Sequence, residues 1–380
     1  MNVDATGAPA AGQDSAARAP GAIPGMAALP GTMRALVKAE AEPGAAIREV
    51  PVPQPGQGEL LLRVEAASLC GTDLHIYRWD DWARERLGGS LPRIFGHEVA
   101  GRVVAHGPGT TGRGAIPVGT LVGAETHIVD GTCYQCRTGR EHVCANLRIL
   151  GVDTDGAFAE YVVIPAHNAW PSEGLSPEIV AIQEPMGNAV HAAFMEEVAG
   201  QTVAVLGCGP IGLMAVAIVN LAGAARIFAT DVNAERLAMA KALGADEIID
   251  AREDVARRLK EATGGVGVDI VLEMSGAESA IRQGFAAVTN GGRVSLLGLP
   301  SRAITLDLNN EVIFKGVRVY GITGRKMFET WYRTQALLAQ GLDLTPIVTH
   351  RFPMTRYAEA FELLAGGHAG KVVLLPGEVD

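Results

Sequence analysis

The stretch TVAVLGCGPIGLMAVAIVNLAG, residues 202–223, leaves this chain few folds to choose from. A short apolar run opens into Gly207-Cys208-Gly209-Pro210-Ile211-Gly212 and then into a long apolar segment that reads as a buried helix. Strand, glycine turn and helix in that order form the setting in which G-x-G-x-x-G binds a dinucleotide. Gly207 permits the tight turn, Gly209 lets a pyrophosphate approach the backbone at the helix start, and Gly212 lets helix and strand pack closely. Asp231 closes the next apolar run, RIFATD, 19 residues after Gly212. Its carboxylate suits the hydroxyls of an adenosine ribose and repels a 2′-phosphate, so NAD is expected over NADP. Cys208, inside the turn, reads as a small packing residue.

The rhythm continues downstream. AERLAMAKALG reads as a helix, VDIVLEMSG and GRVSLLG as strands, with helical stretches between them. Strands alternating with helices predict a parallel, doubly wound sheet over 186–340. From Met33 to about residue 185 the texture differs. MRALVK, ELLLRVEAA, EVAGRVVAHG and FAEYVVIPA are short β runs broken by Gly and Pro, as in a barrel-like, mostly antiparallel unit. The same β texture returns over 341–380, ending in KVVLLP, so the chain is expected to rejoin its first domain there. Residues 1–32 are rich in Ala, Gly and Pro without apolar periodicity and read as a disordered tail. They carry neither the basic start nor the apolar core of a signal peptide.

At 380 residues the chain has room for two cores. A net charge of -10 without any Lys/Arg cluster argues against a nucleic-acid surface. No uninterrupted apolar stretch is long enough to span a bilayer. The five cysteines are odd in number and include a C-x-x-C pair, which points to metal ligands in a reducing, cytoplasmic compartment rather than to disulfides.

Three short stretches carry the chemistry: Cys70-Gly-Thr72-Asp-Leu-His75, Gly96-His97-Glu98, and Glu184-Pro-Met-Gly-Asn-Ala-Val-His191. Thiolate and imidazole suit Zn²⁺, and a catalytic zinc has three protein ligands and one exchangeable position. Cys70 and His97 supply two ligands, and Glu98 or Glu184 the third. Zinc in an open site lowers the pKa of an alcohol. Thr72 and His75, on the loop that carries Cys70, could then pass the alcohol proton to solvent. A second cluster, Cys133, Cys136 and Cys144, has zinc spacing, with Asp130 three residues ahead of it. His127 and His142 are rival fourth ligands for that site. Arg325 and Lys326 read either as partners for a carboxylate or pyrophosphate or as a solvated helix start. Trp79 and Trp82 are equally suited to a pocket wall or to packing.

These motifs, in this order, resemble the zinc-dependent medium-chain alcohol dehydrogenase family from about residue 33 to the end. CGTDLHIYRWDDW, QEPMGNAVHAA, GRKMFETWY and GLDLTPIVTHRF are most similar to the branch that oxidises L-threonine. The resemblance implies a GroES-like catalytic domain and a Rossmann domain with the substrate between them. It implies that Cys70, His97 and Glu98 hold the catalytic zinc. Thr72 and His75 would form the proton relay, with Glu184 beside the metal. Ile211, Asp231 and Arg236 would meet the adenosine side of NAD, and Leu297, Gly298, Leu299, Ile322 and Thr323 the nicotinamide side. Hydride would pass from the β-carbon of L-threonine to NAD⁺, giving 2-amino-3-oxobutanoate. The same machinery would also serve another amino alcohol, a vicinal diol or a polyol. Family members are commonly tetramers, and no nucleic acid or membrane partner is expected. The family's structural-zinc lobe has four cysteines, and this chain has Asp130 in the first place. The expectation is a second zinc held by Asp130, Cys133, Cys136 and Cys144, more weakly than by four thiolates. A binding protein that had abandoned catalysis would be expected to lack some of these ligand and relay residues. All of them are present.

Overall fold

A computed structural model describes residues 29–378, so most of the expected tail lies outside the described residues. Leu29 already packs on the small apolar cluster around Met33, Ala35 and Leu61, and the first strand begins at Thr32. Strands β1 (Thr32–Lys38), β2 (Ala46–Pro51), β3 (Glu59–Ser68), β4 (Arg93–Ile94), β5 (Glu98–His106), β6 (Leu121–Ala124), β7 (His127–Ile128), β8 (Arg148–Ile149), β9 (Tyr161–Pro165) and β10 (Ala169–Pro171) make up the first part. Between them lie helices α1 (Gly71–Arg78), α2 (Asp81–Leu87) and α3 (Tyr134–Arg137), and after them α4 (Pro177–Ala181) and α5 (Gln183–Ala193). The alternation of ELLLRVEAAS in β3 buries most of its length. β3 pairs along its whole length with β5, and its first half pairs with β9 on the other side.

The second part follows the pattern expected of its apolar runs. β11 (Thr202–Leu206), α6 (Pro210–Leu221), β12 (Arg226–Asp231), α7 (Ala234–Ala242), β13 (Glu247–Asp250), α8 (Val255–Ala262), β14 (Val268–Glu273), α9 (Glu278–Ala287), β15 (Val288–Leu296), β16 (Arg318–Gly321) and α10 (Glu329–Ala339) succeed one another. The six strands are parallel in the order β13-β12-β11-β14-β15-β16, which reverses between β11 and β14. Such a reversal opens a crevice at the carboxyl ends of the strands. α6 is apolar all round because it is enclosed all round. Leu213, Met214, Val216, Ile218 and Val219 are fully buried, each contributing about 1.5–3 kcal/mol. Pro210 is tolerated in its first turn, where its missing N–H is no loss.

The chain then returns. β17 (Val348–Pro353), α11 (Tyr357–Gly366) and β18 (Lys371–Leu375) follow, and β18 pairs antiparallel with the end of β3, at Ala67 and Ser68. The last strand thus completes the seven-stranded sheet begun by β3. A mostly antiparallel β unit and a doubly wound parallel sheet are the two architectures expected.

Candidate metal centres and cofactor cleft

Cys70 ends the β3 segment and N-caps α1, where its backbone N–H donates to Asp73 Oδ2 at 2.8 Å. Gly96 makes the turn that delivers His97 and Glu98 to the start of β5. Its φ is 92°, and a Cβ there would overlap the Phe158 ring at 2.6 Å. These two local devices bring one ligand atom each from Cys70, His97 and Glu98 within 4.8 Å of one another. Atoms bound to one zinc at ~2.0–2.3 Å lie at most about 4.6 Å apart, so the set fits that ion. The buried polar atoms fit it too. His97 Nδ1 faces Asp73 Oδ1 at 3.6 Å, and neither these two atoms nor Glu98 Oε1 has a hydrogen bond among the described residues. A histidine whose one nitrogen faces a carboxylate presents the other as a metal ligand. Asp73 stands inside the Cys70–His75 motif, where the sequence alone assigns it no role. Its position in the first turn of α1 was the available signal.

Glu98 has a second partner that the sequence did not disclose. Lys371, at the head of β18, forms an ion pair with Glu98 Oε2 and donates to the Leu69 carbonyl at 2.8 Å. Burial raises the Glu98 pKa, and the Lys371 charge opposes that rise. Glu184 lies in the first turn of α5, outside the three-atom cluster. Its Oε1 accepts from Thr126 Oγ1 at 2.8 Å and pairs with Arg325 Nη1 at 2.6 Å. Burial alone would raise the Glu184 pKa, but Arg325 and His97 bring it below the usual carboxylate value. Arg325 is no solvated helix start, since it is 1% exposed and also clasps Glu125. Of the two expectations for that residue, the meeting with a carboxylate is what the fold contains.

Thr72 Oγ1 lies 4.0 Å from Cys70 Sγ, whereas His75 is exposed and its Nδ1 is held by the Asp80 carboxylate. Trp82 sits beside the His75 ring, 5.8 Å between centroids. Trp79 is buried under the Lys38 ammonium and packs rather than lining a pocket.

The second cluster gathers Asp130, Cys133, Cys136 and Cys144 within the same 4.8 Å limit. Cys133 Sγ lies 3.5 Å from Cys136 Sγ and 3.8 Å from Cys144 Sγ. Asp130 Oδ1 accepts from the backbone N–H groups of Thr132 and Cys133, and Asn146 donates to Oδ2. Asn146 first, then the two backbone donors, hold the Asp130 carboxyl far below the usual range. The rival histidines are elsewhere. His142 meets the His191 ring edge-on, and His191 Nδ1 donates to the Gly324 carbonyl at 2.9 Å. His127 is buried against Gly324 with its pKa lowered to about 4, chiefly by burial.

The G-x-G-x-x-G loop opens a cleft of about 330 Å³ lined by Gly207, Gly209, Asp231, Arg236, Met274 and Ser275. Gly207 has φ 97°, and a Cβ on Gly212 would lie 1.9 Å from the Gly207 carbonyl oxygen. A Cβ on Gly209 would meet nothing within 4 Å, so the α6 N-terminus faces open space. Asp231 Oδ2 accepts from Cys208 N and Oδ1 from Asn233 N, both at 2.8 Å, which aims the carboxylate at the cleft rim. Ile211 leans on the main core instead. Leu297 and Gly298 donate their N–H groups to the Glu273 carbonyl, at 2.9 and 3.2 Å. Leu299 is 91% exposed, Ile322 is buried beside Leu296, and Thr323 is exposed. These five residues share the carboxyl ends of β15 and β16 and lie outside the wall of that cleft.

Two family models match the chain: the alcohol dehydrogenase GroES-like domain over residues 56–174 and the zinc-binding dehydrogenase over 210–340. The L-threonine 3-dehydrogenase of Bacillus velezensis is 50% identical over 350 residues, 91% of this chain and 99% of that protein. Among solved structures, an alcohol dehydrogenase of Thermus sp. ATN1 superposes with a TM-score of 0.80 at 31% identity, covering 90% of this chain and 99% of that one. An Escherichia coli CFT073 protein, described as a short chain alcohol dehydrogenase complexed with NADH, superposes with a TM-score of 0.81 at 27% identity. It covers 91% of this chain and the whole of that one.

Proposed function

The chain belongs to the zinc-dependent alcohol dehydrogenase family, and from that premise we propose that it oxidises L-threonine with NAD⁺ to 2-amino-3-oxobutanoate. The observation that carries this reading is the likeness to L-threonine 3-dehydrogenases over almost their whole length, together with a complete Cys70–His97–Glu98 cluster. Those three residues would hold the catalytic zinc, which supplies the Lewis acidity that brings an alcohol's pKa toward neutrality. Thr72 stands next to the Cys70 sulfur, where it can accept the proton of the substrate hydroxyl. His75, exposed and steered by Asp80, can hand that proton to solvent. Glu184, whose pKa Arg325 and His97 hold below the usual carboxylate value, would sit beside the metal and assist proton movement. NAD⁺ would lie along Gly207, Gly209 and Asp231, with Arg236 at the adenosine end, and its hydride-accepting ring toward the ends of β15 and β16. Asp130 and the three lobe cysteines would hold a second zinc that serves stability.

We also read the enzyme as a cytoplasmic homotetramer. β16 is an edge strand carrying exposed Val319, and Leu308, Ile313 and Phe314 are exposed in the segment that precedes it. Exposed edges and apolar residues of this kind are usually covered by another copy. Among the described residues no helix is long and apolar enough to cross a membrane.

The test is NADH formation with L-threonine, L-allo-threonine, D-threonine, L-serine, 2,3-butanediol and sorbitol, each with and without a chelator. Chelator-sensitive turnover confined to L-threonine is the expected result. Turnover of a diol or polyol with none on threonine would overturn the substrate while leaving the zinc chemistry in place.

A further inference from the structure

Arg325 lies between β16 and α10 and reaches back to two carboxylates far away in the chain. Its Nε donates to Glu125 Oε2 at 2.9 Å, and its Nη2 to Glu125 Oε1 and to Thr126 Oγ1 at 3.2 Å. Nη1 meets Glu184 Oε1 at 2.6 Å and Asn188 Oδ1 at 3.3 Å. From the first turn of α10, Trp331 donates Nε1 to Glu125 Oε2 at 2.7 Å, so the Glu125 carboxylate is gripped from two sides. The Arg325 stem crosses α5 over Gly187, where a Cβ would come within 2.7 Å of its Cγ and Cδ. A glycine on the helix is what lets the guanidinium reach Glu184.

Two contacts on Glu184 fall on Oε1: a hydrogen bond from Thr126 Oγ1 at 2.8 Å and the ion pair with Arg325 Nη1 at 2.6 Å. One carboxylate oxygen is thus held from two directions. Arg325 also follows directly on Ile322, Thr323 and Gly324, and Gly324 is itself held by His191 from α5. A planar fork suits this task, because it grips one carboxylate with two parallel bonds while its remaining nitrogen pairs in charge with another.

We propose that Arg325 is a positioning residue for alcohol oxidation. It fixes the Glu184 carboxylate beside the Cys70–His97–Glu98 cluster and ties that carboxylate to the 322–324 segment on the nicotinamide side. The inference rests on alcohol oxidation at this cluster and not on threonine being the alcohol. It is therefore tested with whichever alcohol the substrate panel turns over, and its failure is separate from failure of the threonine reading.

The test compares Arg325→Lys, Glu184→Gln and the double variant. Lysine keeps the charge and loses the fork. Arg325→Lys is expected to keep its zinc and a KM for NAD⁺ within about twofold of the parent, with kcat down on the order of 10²-fold. In the Glu184→Gln background the same change should slow kcat by less than about threefold, because there is no longer a carboxylate to position. Losses that multiply in the double variant would overturn the proposal. So would zinc loss in parallel with activity, or a parental kcat in Arg325→Lys. Should Arg325→Lys not fold, Glu125→Gln releases the fork from its other side with little change in volume. It is read by the same cycle with Glu184→Gln, and the same outcomes decide.

Discussion

Lys371 and Glu98 form an ion pair in which both side chains are buried, 3% and 0% exposed. The ammonium also holds the Leu69 carbonyl, next to Cys70. One lysine therefore braces two ends of the candidate metal cluster. Removing one member of a buried pair costs about 3–5 kcal/mol, because the other charge is left uncompensated. Lys371→Met should lower the melting temperature by several degrees and reduce zinc at the Cys70 site, read by calorimetry and elemental analysis. A variant with parental stability and full zinc would show that the pair is incidental.

His75→Asn removes the exposed end of the Thr72–His75 route. Turnover should fall on the order of 10²-fold with zinc retained. The deficit should be widest at acid pH, where proton release runs against the higher proton concentration. Asp80→Asn, which only frees the ring, should show a milder form of the same profile. A His75→Asn profile that overlies the parent at every pH would remove His75 from the mechanism.

Asp231 both faces the cofactor cleft and holds the Cys208 and Asn233 N–H groups. Asp231→Ala should raise KM for NAD⁺ by ~10- to 100-fold, the equivalent of about 1.5–3 kcal/mol for hydrogen bonds to a charged group. NADP⁺ should gain relative to NAD⁺, since the repulsion of a 2′-phosphate is gone. If both cofactors weaken equally, the carboxylate shapes only the loop.

His127 is neutral in the fold because burial lowers its pKa from 6.5 to about 4. The unfolded chain binds a proton at pH values where the folded chain does not. This histidine therefore costs nothing above pH 6.5 and opposes folding increasingly as pH falls toward 4. The full penalty is about 3 kcal/mol. Thermal melts across that window should fall more steeply for the parent than for His127→Gln. Parallel slopes would place the acid sensitivity elsewhere.

Two zinc ions per chain are expected, one for each ligand cluster. Asp130→Ala should lose close to one equivalent and melt earlier, while the protein that stays folded keeps its turnover. Asp130→Cys should hold zinc more tightly than the parent, since a thiolate is the stronger donor. Unchanged zinc content and melting temperature in Asp130→Ala would exclude the carboxylate as a ligand.

The parts that could be read from the sequence are local. Gly207, Gly209 and Gly212 announce a turn that only short-range sterics require, and Cys70, His97 and the 130–144 lobe stand out because thiols and imidazoles at such spacings are rare. The parts that stayed hidden depend on distant partners. Arg325 and Glu125 are 200 residues apart and Leu69 and Lys371 are 302 apart, and no local pattern pairs them. A trace was present in each case. Lys371 heads the apolar strand KVVLL, and Glu125 follows the fully buried strand LVGA. A charge set into such a run needs a buried partner, but the sequence does not name it.

Because β18 closes the sheet that β3 begins, this protein is finished out of order. A ribosome makes both catalytic ligand stretches first, then the entire parallel sheet, and only afterwards the strand with the ammonium that Glu98 needs. At ~5–20 residues per second, the 302 residues from Leu69 to Lys371 take tens of seconds to emerge. Throughout that interval the nascent catalytic unit has an unfilled slot beside β3 and an unneutralised acid at its centre. Both the β3 sheet and the pairing of its buried acid are therefore completed only once β18 has emerged.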